Sequence, residues 1–142
     1  MDITNNLINQ IIQISNSNIS SDNWDSFTIN IFAINKMISI KAFYEASGEI
    51  VSFDPEANGE DITLKVKKLR EEMYKLSPDK GAWYTSIISV TNEGKFNIDF
   101  DYDEKPEFKY EPTPDKFIDD LNTFPREKDL IPDWLNNIIA TK

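Results

Sequence analysis

Residues 95–108, KFNIDFDYDEKPEF, alternate between apolar and polar side chains, and this alternation constrains the fold more than any other feature of the chain. The apolar set is Phe96, Ile98, Phe100 and Tyr102, and the polar set is Asn97, Asp99, Asp101 and Asp103. Because alternate side chains of a β-strand share a face, the pattern predicts a strand with Ile98, Phe100 and Tyr102 facing the core. The three aspartates then project together from the opposite face.

Four other segments carry the alternation or the turn residues of β-strands. Residues 24–34 and 37–46 alternate on either side of a short connection, which predicts a hairpin, and residues 49–54 predict a third strand. Residues 82–90 are joined to the aspartate strand through TNEGK, in which Gly94 suits a turn with positive φ. The sequence therefore predicts a three-strand meander and a separate hairpin.

Apolar residues at helical spacing mark the remaining elements. They predict an N-terminal helix, a second helix over residues 61–77 between the meander and the hairpin, and two short helices that begin near Thr113 and Pro132. We expect a single α+β domain spanning residues 1–142, with a mostly antiparallel sheet of about five strands and one hydrophobic core.

Charge and missing residue types narrow the function. The formal net charge of −10 opposes direct binding to nucleic acid or to an anionic membrane, and it favours a basic partner. The chain has no cysteine, which removes disulfides and thiol chemistry, and no histidine, which removes the usual general base and the commonest metal ligand. We expect no cofactor and no enzymatic activity.

The N-terminal stretch MDITNNLINQIIQISNSN bears on location. It begins with an acid instead of a basic region and holds no continuous apolar run, so it does not have the pattern of a secretory signal. No stretch approaches the roughly 18 apolar residues of a membrane span. We expect a soluble, cytoplasmic protein.

Acidity is concentrated in residues 99–120, which we call the acidic segment. It carries nine acids against three lysines, a net charge of −6. The acids are Asp99, Asp101, Asp103, Glu104, Glu107, Glu111, Asp115, Asp119 and Asp120. Tyr102, Phe108 and Tyr110 lie among them, and aromatic side chains interleaved with charge are typical of protein interfaces. This composition predicts a surface that binds a basic protein.

Three other interpretations use the same acids. One-sided burial of a strand by itself produces a solvated polar face. The spacing of Asp99, Asp101 and Asp103 also matches the start of an EF-hand loop, but Glu104 replaces its glycine and Tyr110 its final glutamate. A glycosidase pair needs two carboxylates in different environments, which equivalent aspartates on one face do not provide.

Other aromatic and basic residues are expected to be structural. Trp83 and Tyr84, at a strand start, predict core or sheet-edge packing, and Trp24 and Trp134 predict core positions at the ends of elements. The basic run in the second helix predicts only the solvated face of that helix. Its members are Lys65, Lys67, Lys68 and Arg70.

The order of several short motifs in the second half of the chain suggests a family. They are Gly81-Ala82-Trp83-Tyr84-Thr85, Gly94-Lys95-Phe96, Asp99-Phe100-Asp101-Tyr102-Asp103, Pro106-Glu107-Phe108, Phe124-Pro125-Arg126 and Ile131-Pro132-Asp133-Trp134-Leu135. In this order they resemble the YezG-like family of bacterial antitoxin or immunity proteins, found beside polymorphic and contact-dependent toxins. The likeness covers about residues 62–135.

The resemblance implies a small α+β protein that binds a cognate toxin, often a nuclease, in the cytoplasm of the producing cell and blocks it. It implies no enzymatic activity and supplies no contact residues. Those that we predict come from the charge pattern, and they are Asp99, Asp101, Asp103, Glu104, Glu107 and Glu111, with Tyr102 as an aromatic member. A metal-binding or hydrolytic domain built on carboxylates, and an adaptor without inhibitory action, are the alternatives.

Overall fold

The computed structural model describes residues 2–140 of the chain. Its helices and strands, in chain order, are α1 (Ile3–Ser17), β1 (Ser26–Ile34), β2 (Met37–Ala46), β3 (Glu49–Phe53), α2 (Thr63–Leu76), β4 (Thr85–Thr91), β5 (Phe96–Asp101), α3 (Pro114–Thr123) and α4 (Asp133–Ala140). Short 3₁₀ helices at Pro78–Lys80 and Lys128–Leu130 lie in the connections before β4 and before α4. The predicted α+β class and the predicted five strands are confirmed.

The strands form one antiparallel sheet in the order β3-β2-β1-β4-β5. β1 lies at its centre and pairs with β2 along its whole length and with β4 from Ser26 to Phe32. The predicted meander and hairpin are therefore both present, and β4 joins them by pairing with β1. Within the described residues, β5 pairs only with β4, so it is an edge strand.

Helices α1 and α2 cover one side of the sheet. The apolar stripes of both helices pack onto the buried parity of β1, and Ile11, Ile29 and Leu69 have no exposed surface. Trp83 is also fully buried in this cluster, with Trp24 packed against it. Ile98, Phe100 and Tyr102 of the aspartate strand and its exit pack against the same cluster, as the alternation predicts.

A second apolar cluster lies at the end of the sheet where β1 stops and β4 begins. It is built from Ile34, Tyr84, Phe117 and Leu135, with Trp134 packed against it. Helices α3 and α4 supply its outer wall, and the rings of Phe117 and Trp134 meet edge to face at 5.7 Å. The prediction of one hydrophobic core is wrong in this respect, because the C-terminal helices build a cluster of their own. Among the described residues, no helix is both long and apolar enough to cross a membrane.

Candidate interaction surface

The side of the sheet opposite α1 and α2 is largely open to solvent, and we call it the open face. Strand register assigns its members as Ser26, Thr28, Asn30 and Phe32 of β1, Ser39, Lys41, Phe43 and Glu45 of β2, Ile50 and Ser52 of β3, Thr85, Ile87, Ser89 and Thr91 of β4, and Asn97, Asp99 and Asp101 of β5. Exposure confirms that the face is uncovered, since Ile50 is 73% and Ile87 41% exposed. The alternation thus leaves a polar sheet surface with a few apolar side chains on it.

Two of the predicted contact residues lie on this face. Asp99 is exposed and stands directly opposite Ile87 in the β4–β5 ladder. The Asn97 side-chain amide donates to its carboxylate at 3.4 Å. A carboxylate therefore sits beside an exposed apolar side chain, which is the combination that a mixed polar and apolar contact requires.

Asp101 also stabilises the turn that follows β5. It is half-buried, opposite Thr85, and its Oδ1 accepts the backbone N–H groups of Asp103 at 2.9 Å and of Glu104 at 3.0 Å. An aspartate that accepts from the backbone two and three residues on stabilises a turn. Asp101 therefore fixes the direction in which the acidic segment leaves the sheet.

The next acids follow that turn. Asp103, Glu104 and Glu107 are exposed, and the carbonyl oxygen of Asp103 accepts the indole N–H of Trp134 at 2.6 Å. Glu111 is exposed too, but it forms an ion pair with Lys105 inside the same segment. The negative charge available to a partner is thus weighted toward the first part of the segment.

Tyr102 lies away from these carboxylates. Its ring packs toward the first apolar cluster, on the helix side of the sheet, and the Lys80 ammonium lies 5.4 Å from the ring centroid. Burial raises the pKa of its phenol, and the Arg126 charge opposes that shift. The structure therefore separates Tyr102 from Asp99 and Asp101. Phe108 instead packs against Phe32 of the open face, with ring centroids 6.3 Å apart.

The last acid of the segment, Asp120, is buried in an ion pair with Arg70. Arg70 is 3% exposed, so the prediction that it belongs to the solvated face of its helix is wrong. Its Nη1 lies 2.5 Å from Asp120 Oδ1 and its Nη2 3.0 Å from Oδ2, while its Nε donates to the Trp83 carbonyl oxygen at 2.6 Å. The backbone N–H of Asn35 donates to the same Oδ1 at 2.6 Å. Asp120 joins α2, α3 and the β1–β2 turn, and it offers no charge to a partner.

Arg126, which lies between α3 and α4, connects this part of the chain to residues that adjoin β4 and β5. Its Nη1 donates to the carbonyl oxygens of Tyr102 at 3.0 Å and Leu130 at 2.9 Å, and its Nη2 donates to that of Ala82 at 3.2 Å. Its guanidinium lies 5.2 Å from the ring centroid of Tyr84. These contacts run between residues of three of the motifs that carry the family resemblance, which gives those motifs a shared structural role.

The interpretation of the acidic segment as a metal site requires carboxylates that converge on one point. Within residues 2–140, no group of three or more acidic, histidine or cysteine side chains is placed to hold a metal ion. Asp99 and Asp101 project from an extended strand, and Asp101 is engaged by two backbone N–H groups. The described carboxylates thus lack the convergence that a calcium loop provides.

Comparison with known proteins adds no relative. No protein-family model and no curated protein matches the chain. The family resemblance therefore stays a prediction, and the geometry of the open face carries the functional inference.

Proposed function

We propose that this protein is an immunity protein of the YezG-like type, which binds and neutralises a basic toxin domain, a nuclease, through the open face and the acids that follow β5. One observation carries the proposal. Asp99 lies beside exposed Ile87 on a sheet face that no described helix covers. The resemblance of the motif order supplies the class of partner.

Electrostatics favour this partner. A nuclease holds phosphates with lysine and arginine, so its substrate channel is a basic surface. A chain with a net charge of −10 is attracted to that surface, and its acids can take the place of the phosphates. Complementary charge mainly accelerates association, so we expect the association rate to depend on ionic strength.

Apolar side chains would supply the contact area. Ile87 and Ile50 are exposed, and Phe43 and Phe32 are half-buried on the same face. Apolar and aromatic anchors carry most of the binding energy in protein interfaces, while charged residues at the rim set the encounter rate. The acids along β5 would then form one rim of the contact.

The acids proposed as contacts differ in their exposure and in their pairing within the protein. Asp99, Asp103, Glu104 and Glu107 are exposed and have no ion pair within the described residues, and the first three are the nearest to β5 in the chain, so they are the strongest candidates for contact with a basic partner. Asp101 serves the backbone turn and Glu111 is paired with Lys105. Charge reversal is therefore best confined to Asp99, Asp103 and Glu104.

The test needs a cognate toxin domain, which is to be sought in the genes that adjoin this one. Cells that express the toxin domain together with the triple variant Asp99→Lys/Asp103→Lys/Glu104→Lys should lose protection that the wild type gives. With purified proteins, the variant's association rate at low salt should fall by about tenfold or more. The variant Ile87→Ser, which changes no charge, should raise the dissociation rate instead.

A matched variant controls for the change in net charge. Asp22→Lys/Glu49→Lys/Glu60→Lys reverses three exposed acids outside the open face and should leave protection and dissociation rate near those of the wild type. Equal loss in both triple variants would mean that only total charge matters. Binding without protection would identify an adaptor, and unchanged protection in the first variant would remove the open face from the proposal.

A further inference from the structure

The outer edge of β5 carries main-chain groups that no described part of the chain uses. Just before the strand, the Lys95 carbonyl oxygen accepts the Thr91 N–H of β4 at 2.8 Å, so Lys95 points its main-chain groups toward β4. This direction alternates along an antiparallel strand. The residues that point away from β4 are therefore Phe96, Ile98 and Phe100. Their N–H and C=O groups have no hydrogen-bond partner within residues 2–140, and they are free to pair with an added strand.

The two faces of this edge differ in chemistry. The side chains on the open face are Asn97, Asp99 and Asp101, and those on the helix side are Phe96, Ile98 and Phe100. The β4 residues beside the two aspartates are Ile87 and Thr85, which carry no charge. On the helix side Phe96 is 47% exposed, and the other two apolar side chains are half-buried. The edge is therefore anionic on one face and apolar on the other.

The charges at the two ends of β5 do not offset these aspartates. Before the strand, Glu93 and Lys95 have opposite signs. After it, Lys80 and Arg126 contact Tyr102, and two acids follow in the chain, which are Asp103 and Glu104. Each end thus holds as many acids as bases. Neither Asp99 nor Asp101 forms an ion pair with a described residue, so both remain charges that a cation can pair with.

We infer that the edge of β5 binds an extended strand of the toxin domain in which basic and apolar residues alternate. The inference rests on the proposed function for the identity of the partner, while the edge itself defines the chemistry of the strand. Residues directly opposite in an antiparallel pair share a face. The basic side chains would therefore lie opposite Asp99 and Asp101, and the apolar side chains opposite Ile98 and Phe100. Main-chain hydrogen bonds supply affinity in this mode of binding, and alternate side chains supply specificity.

The direction of the main-chain groups makes the arrangement more specific. Because Ile98 and Phe100 point these groups outward, the apolar residues of the added strand would exchange hydrogen bonds with them. The basic residues would form non-hydrogen-bonded pairs with the aspartates, in which Cα atoms are about 4.5 Å apart and side chains are closest. The N–H groups that the strand donates to β5 would thus all come from its apolar residues.

The test titrates the full-length protein with the peptide acetyl-KIKVKIK-amide, in which basic and apolar residues alternate. We expect a dissociation constant of about 1 mM or tighter. Amide NMR measures the affinity, and the largest shifts should lie in residues 96–101 and not in residues 49–53 of the opposite edge. The control acetyl-KKKKIVI-amide has the same composition and charge without the alternation. It should bind at least about tenfold more weakly, because it cannot match both faces of the edge.

Two methylated forms of the alternating peptide test the main-chain contact. Methylation of the central valine nitrogen removes an N–H that faces β5, so we expect binding to weaken by about tenfold. Methylation of the lysine nitrogen that follows it alters an N–H that points away from β5. That peptide should bind within about threefold of the unmodified one.

Two variants of the protein test the charge. Asp99→Asn should weaken the alternating peptide by about threefold to fivefold. Glu49→Gln removes the same charge from an exposed acid of β3 and should bind like the wild type. Amide spectra establish that both variants are folded.

Five results would overturn the inference. They are no binding by the wild type, equal affinity of the alternating and control peptides, equal losses from the two methylations, equal affinity in the two variants, and a dimer of the free protein formed through residues 96–101. The peptide experiment needs no toxin. A failure of the immunity function would therefore appear in the protection assay, whereas a failure of strand addition would appear in the peptide affinities.

Discussion

The two ends of the acidic segment use the same residue type in opposite ways. Asp99, at its start, is exposed on the open face, whereas Asp120, at its end, is buried against Arg70. In the sequence they differ only in their neighbours. The comparison teaches that a count of carboxylates measures the charge a segment holds, while the fold decides how much of it a partner can reach.

The same contrast extends to the regions around these aspartates. At one end of the sheet, Asp120 of α3 forms a buried ion pair with Arg70 of α2, and Arg126 donates to the Ala82 carbonyl oxygen and lies over the Tyr84 ring just before β4. At the other end, the turn that contains Gly94 has open space around it. Matched substitutions in the two regions should therefore differ in their effect on stability.

Asp120→Ala should give the largest effect. It leaves the buried Arg70 guanidinium unpaired and removes the acceptor of the Asn35 N–H, so we expect the free energy of unfolding to fall by about 3–5 kcal/mol. Asp99→Ala should change it by no more than about 0.5 kcal/mol. Urea unfolding monitored by circular dichroism measures both. Similar small losses in the two variants would contradict the role given to the buried pair.

Gly81→Ala should come next. Gly81 has φ +78° and ψ −163°, a region that is nearly restricted to glycine, and an added Cβ would lie 2.4 Å from Arg126 Nε. We expect a loss of about 2–4 kcal/mol, because the strained backbone and the displaced guanidinium both contribute. Gly94→Ala, at φ +85° with nothing within 4 Å, should cost only about 1–2 kcal/mol. Equal losses on urea unfolding would show that Arg126 moves aside freely.

The pH dependence of Tyr84 should give the smallest effect. Burial raises the pKa of Tyr84 to about 12, Asp120 adds to that shift, and Arg126 and Arg70 oppose it. Because the unfolded chain loses this proton near pH 10, the contribution is complete below pH 10 and is lost as the pH rises toward 12. Between pH 9.5 and 11.5 the free energy of unfolding should fall by about 2 kcal/mol through this group.

Tyr84→Phe removes that titration, so its stability should decline less steeply over the same range than that of the wild type. Tyr110→Phe, at a tyrosine that is 74% exposed, is the control for deleting a phenol. Urea unfolding at several pH values gives the two slopes. Parallel declines in the wild type and Tyr84→Phe would contradict the burial effect.

The elements that could be predicted from the sequence are those that follow from the local spacing of apolar residues. The alternation in residues 95–103 placed Asp99 and Asp101 on one face and Tyr102 on the other, because side-chain direction in a strand follows from position alone. The five strands followed from the same rule. The open face itself was therefore accessible from sequence.

Ion pairs between residues far apart in the sequence could not be predicted from it. Arg70 and Asp120 are separated by 50 residues, and no local pattern connects them. One clue was present, since Arg70 lies four residues after Val66 and shares its buried stripe. Similarly, the ion pair between Lys105 and Glu111 could not be read from a list of charges. Local rules give the face on which a charge lies, but tertiary packing decides whether it is compensated.

The edge position of β5 has a consequence for solubility. An unpaired strand edge is a template on which a second copy of the same sheet can add and continue into an aggregate. Asp99 and Asp101 would lie close to their own counterparts in such a pairing, and like charges at that distance repel. The aspartates that we propose as contacts for a basic partner would thus also keep identical molecules apart, and acidification or high salt should weaken both effects together.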